Sequence, residues 1–67
     1  MQTNVLTEQQ KSVLRVIKNK PLTSFQILKK VDNISMILSL YNVIDELKSK
    51  GILKSYIKEN MKYHIAS

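Results

Sequence analysis

The chain has 67 residues, with 11 lysine and arginine side chains against 5 acidic ones and a net charge of +6. That length allows one domain, over 1–67 with 1–6 expected to be flexible, and one small core. Cysteine is absent, which excludes disulfides and thiolate metal sites, and no run of about 18 apolar residues is available to span a bilayer.

Three further expectations follow. The first residues, Met1-Gln2-Thr3-Asn4, lack the basic-then-apolar layout of a signal peptide, so a cytoplasmic protein is expected. The 8 isoleucines, 8 leucines and 5 valines suffice for a folded domain but leave nothing over for a deep active-site cleft. A pI near 9.8 on so small a body draws polyanions, although the same charge also serves solubility.

Pro21 and Gly51 are the only strong breakers, and they divide the chain into three parts. In the first, Thr7-Glu8-Gln9-Gln10 fits a capping box. Val13, Leu14 and Ile17, widened by Val16, make the apolar stripe of one helix that Pro21 ends. In the second, Thr23-Ser24-Phe25-Gln26 is another capping box and predicts a short helix over 24–31 with Phe25, Leu28 and either Val31 or Ile27 facing inward. Asp32-Asn33 reads as a turn. Ser35 is then expected to cap a longer helix over 36–50, which Gly51 closes in the left-handed conformation.

At about 100° per residue, Ile37, Leu40, Tyr41, Ile44 and Leu47 of this third helix fall on one side. Ser35, Ser39, Asn42, Glu46 and Ser49 fall on the other. In the last part the period changes to two. Leu53, Ser55 and Ile57 alternate with Lys54, Tyr56 and Lys58; after Glu59-Asn60, Met61, Tyr63 and Ile65 alternate with Lys62 and His64. A β-hairpin is predicted, with Asn60 supplying positive φ in the turn.

Helix, short helix, turn, longer helix and hairpin is the order of an α+β winged helix-turn-helix with a two-stranded wing, to which the short Leu22 region can add a third small strand. Ser39-Leu40-Tyr41-Asn42-Val43-Ile44-Asp45-Glu46-Leu47 through Gly51-Ile52-Leu53 resembles the third helix of PadR-like and Fur-like regulators. Ser24-Phe25-Gln26-Ile27-Leu28-Lys29-Lys30-Val31 is similar to the PadR segment Gly-Tyr-Glu-Ile-Ile-Lys-Arg-Leu, and Lys62-Tyr63-His64-Ile65 to the segment that closes the PadR wing. The resemblance implies a DNA-binding regulator whose third helix enters the major groove, and it sets Tyr41 beside the DNA backbone.

Asn42 can pair bidentately with adenine, while Ser35 and Ser39 can contact bases or phosphates. Met36, Leu38 and Val43 flank that stripe and can touch thymine methyls; equally, they can form a protein-binding or dimer surface. Lys54, Tyr56, Lys58, Lys62 and His64 are expected to share the outer face of the hairpin as a cationic wing. Lys29 and Lys30 end the second helix where phosphate contact is expected. The candidate DNA-contacting set is therefore Lys29, Lys30, Ser35, Met36, Ser39, Tyr41, Asn42, Val43, Lys54, Tyr56, Lys58 and Lys62.

No catalytic constellation, metal site, cofactor, membrane association or small-molecule substrate is expected. The expected partner is double-stranded DNA, bound as a homodimer because one third helix covers only a half-site. A protein-interaction module using Met36, Leu38 and Val43 is the alternative reading.

Overall fold

The computed structural model describes residues 5–67. The expectation of flexibility at 1–4 lies outside the described residues, whereas Leu6 packs partly against the core. The elements are α1 (Glu8–Ile17), β1 (Leu22–Thr23), α2 (Ser24–Lys30), α3 (Ile37–Ser49), β2 (Leu53–Lys58) and β3 (Met61–Ala66). Together they make an α+β domain of three helices and one three-stranded antiparallel sheet, ordered β1-β3-β2. No helix among the described residues is long and apolar enough to cross a membrane.

The first two helices begin as local chemistry dictates. Thr7 Oγ1 accepts from the Gln10 backbone N–H at 3.1 Å, while Gln10 Oε1 accepts from the Thr7 N–H at 3.0 Å. Thr23 and Gln26 repeat this box at the start of α2. Each pair satisfies donors that the first turn leaves without intrahelical partners.

α3 starts differently from expectation. Its N-cap is Met36, with no side-chain hydrogen bond, so Ser35 is an exposed residue ahead of the helix and not its cap. The hydroxyl stands one residue too early to reach the first free amides. At the other end Gly51 takes φ +77, and the N–H groups of Gly51 and Ile52 donate to the carbonyls of Lys48 and Leu47. This paired return of bonds is the Schellman closure that a residue without a Cβ allows.

The core draws on every element except β3. Val13 and Ile17 of α1 meet Leu22, Ile27, Leu40, Val43, Ile44, Leu47 and Leu53, with Val31 and Ile34 sealing the α2–α3 connection. Burial of these aliphatics holds the layers together, since each helix alone is too short to persist in water. Polar ties set the angles between them. Gln10, nearly buried, donates through Nε2 to Glu46 Oε1 at 2.9 Å, joining α1 to α3. Gln9 Nε2 donates to the Asn33 carbonyl at 3.0 Å, joining α1 to the turn before α3.

Candidate nucleic-acid interface

α3 is turned about 50° from the orientation that its sequence pattern suggests, judging by the buried residues at 100° per residue. Leu40, Val43, Ile44 and Leu47 form the buried arc. Val43, expected on the outer flank, is only 4% exposed, and Tyr41, expected on the core side, is 42% exposed. The cause is the packing of α1 along the Val43 flank, fixed by the Gln10–Glu46 bond one turn away. Val43 is therefore removed from the set that a ligand can touch. Ser39 and Asn42 remain exposed, joined by Leu38, Tyr41 and Asp45. Ser35 and Met36 are exposed at the entry to the helix.

The hairpin faces divide otherwise than expected. Lys58 pairs with Met61 across the two-residue Glu59-Asn60 turn, whose φ values are 53 and 68. Directly opposed residues share a face, so even-numbered residues of β2 go with odd-numbered residues of β3. Lys54, Tyr56 and Lys58 lie with Ile65, Tyr63 and Met61; Lys62 and His64 lie on the opposite face with Ser55 and Leu53.

That second face looks toward the helices. His64 is buried there, its Nε2 2.9 Å from the Ser24 hydroxyl of α2 and its Nδ1 2.7 Å from the Ser55 hydroxyl of β2. Two hydroxyls can meet the donor and the acceptor of a neutral imidazole in either tautomer. Burial, then the charges of Lys62 and Lys48, push the His64 pKa below its ordinary 6.5. Beyond His64 the ribbon leaves the body of the protein, and 57–62 are all exposed.

A concavity of about 420 Å³ opens between the hairpin tip, α3 and the start of α2, lined by Thr23, Ser24, Phe25, Tyr41, Asn60, Met61 and Lys62. It brings Tyr41 and Lys62 together, and it adds Phe25, Asn60 and Met61, which were not singled out as ligand contacts. Phe25 was expected to face inward but is 63% exposed. Ile27 fills the core position of α2, and a residue two before it points roughly 200° away, so both cannot face in. That signal was present in the sequence.

Lys29 stands four residues after Phe25 and shares its face of α2. Lys30 does not: it lines a separate hollow with Ser12, Arg15, Val16, Val31, Asp32 and Asn33, on the α1 side. Among the described residues the one ion pair is Lys11–Glu8 at 3.5 Å on α1. Lys29, Lys48, Lys54, Lys58 and Lys62 thus make no ion pair with a carboxylate among the described residues. Comparison with protein-family models and with the curated proteins finds no match for this chain.

Proposed function

We propose that the chain is a winged helix-turn-helix protein that binds double-stranded DNA, as a small transcriptional regulator. In this reading α3 docks in the major groove, whose width of about 12 Å admits one helix with its side chains. Ser39 and Asn42 meet base edges, Asn42 offering the amide pair that suits adenine. Asp45 on the same stripe can accept from a cytosine amine. Tyr41 borders the backbone. The wing tip, Asn60 and Lys62, follows the neighbouring backbone or minor groove, and Lys29 takes a phosphate.

The observation that carries the reading is the exposed amide and hydroxyl stripe of α3 beside a protruding ribbon, both served by lysines without acidic partners among the described residues. A homodimer on a two-fold site gives the required specificity. The reading needs no catalysis, cofactor, membrane or small-molecule substrate, and it assigns the protein to the cytoplasm.

Selection of bound fragments from random duplex DNA at roughly 150 mM salt tests this, and a palindromic motif is the expected result. Neutralising about 4 phosphates, through Lys29 and Lys62 of each protomer, gives a log-log salt slope near −3.6. Asn42→Ala should relax discrimination at one base position by about 1–3 kcal/mol, whereas Lys62→Ala should weaken all sequences alike. No enriched motif, or a uniform loss from both variants, overturns the reading.

A second reading is favoured by one observation. Met36 and Leu38 are 63% and 66% exposed at the head of α3, an apolar pair suited to a protein partner. Stoichiometric binding of a protein, lost in Leu38→Ser and accompanied by no duplex binding, selects it.

A further inference from the structure

The strand register removes Lys54, Tyr56 and Lys58 from the side on which α3 and Lys62 lie, and leaves them on the back of the sheet. There Tyr56 stacks on Tyr63, with ring centroids 5.7 Å apart and planes 23° from parallel. Lys54 and Lys58 flank Tyr56 at alternate positions of β2, an edge strand, and Ile65 and Met61 stand opposite them. None of these six residues belongs to the core or to the side chains packed against it. Tyr56 remains 39% exposed, and neither strand places a carboxylate on this face.

We propose that this back face is a binding platform for single-stranded nucleic acid, separate from the duplex-binding surface and independent of it. An aromatic ring with an open face stacks any base, and ammonium groups on either side take the phosphates of the same strand. Lys54 and Lys58 are about 13 Å apart along β2, so a backbone running with the strand passes both while a base reaches Tyr56 between them. Duplex DNA cannot stack on Tyr56, because its bases already stack on one another and present only their edges. Two features argue against a protein occupant: the lysines at both ends of the patch, and the absence from it of complementary acids. The face holds rings and ammonium groups but no side-chain amide or carboxylate that reads a ribose 2′-hydroxyl, so deoxyribose and ribose strands meet the same chemistry here.

The test is fluorescence anisotropy of labelled oligothymidylate of about 12 nucleotides with the full chain, beside an oligouridylate of equal length and a duplex. Tyr56→Ala should weaken oligothymidylate binding by about 5- to 150-fold, the range for one base stacked on an aromatic side chain, while Tyr56→Phe retains it. Lys54→Ala and Lys58→Ala should each flatten the log-log salt slope by about 0.7. Neither change should alter duplex binding, and Asn42→Ala should leave the single-strand affinity unchanged.

The proposal is overturned if oligothymidylate binds equally well to wild type and to the Tyr56→Ala and lysine variants, or does not bind at all. Oligouridylate should bind by the same stacking and lose affinity in Tyr56→Ala likewise; a concentration-dependent dimer that Tyr56→Ala dissociates overturns the proposal. The lysine variants keep the test decisive should Tyr56→Ala unfold. Failure of duplex binding alone leaves this result standing, so the two proposals fall separately.

Discussion

Val43→Thr tests the orientation of α3 without touching its outer surface. The substitution is nearly isosteric and the two residues have similar helix propensity, so it changes little except to put a hydroxyl where a methyl was. Val43 is 4% exposed among Val13, Ile17, Leu40 and Leu47 of the core. A hydroxyl buried there without a partner costs about 1–3 kcal/mol. Bonding back to the carbonyl of Ser39, four residues earlier, recovers part of this, which leaves about 1–2 kcal/mol.

In a domain of this size each 1 kcal/mol lowers Tm by about 4–8 °C, so thermal unfolding followed by circular dichroism should show a loss of about 4–16 °C. Leu38→Gln is the control. Leu38 is 66% exposed, and its replacement should change stability by no more than about 0.5 kcal/mol. If Val43→Thr is neutral and Leu38→Gln is costly, α3 is turned the other way, and the stripe bearing Ser39 and Asn42 is not the surface presented to a ligand.

Two further outcomes are expected. Because the His64 pKa is held below 6.5 in the folded protein, the unfolded chain takes up the proton first. The stability due to neutral His64 is complete above pH 6.5 and is lost as pH falls through the lowered native value; Tm should drop over that window, and His64→Asn should flatten the dependence. At the hairpin turn Glu59 holds φ 53 without being glycine or asparagine. Left-handed backbone costs an ordinary residue about 1–2 kcal/mol, so Glu59→Asn should raise stability by about 0.5–1 kcal/mol, and an unchanged Tm would refute the strain.

Features encoded within a few residues of one another were legible in the sequence. Thr7 with Gln10 and Thr23 with Gln26 form their capping boxes, Gly51 closes α3, Leu22 joins the sheet, and Asn60 takes positive φ. Which hairpin residues share a face was equally legible in principle. A two-residue turn reverses the parity between β2 and β3, which separates Lys62 from Lys54 and Lys58. The exposure of Phe25 followed from its angle to Ile27 on the helical wheel.

Other features depended on contacts between residues far apart in the chain. The helical period of α3 allows either Tyr41 or Val43 to turn inward, because both border the Leu40–Leu47 stripe. The packing of α1, tied through Gln10 and Glu46 across 36 positions of sequence, decides for Val43. The burial of His64 has a similar origin, since Ser24 reaches it from 40 residues away, and no local pattern distinguishes that histidine from a solvent-facing one.

Sequence by itself thus determined the order, caps and turns of the elements, since those depend on backbone groups and side chains within one turn of each other. Only the tertiary structure decided which sides of α3 and of the hairpin meet solvent. That choice minimises exposed apolar area over the whole molecule, and no single segment carries enough information to make it.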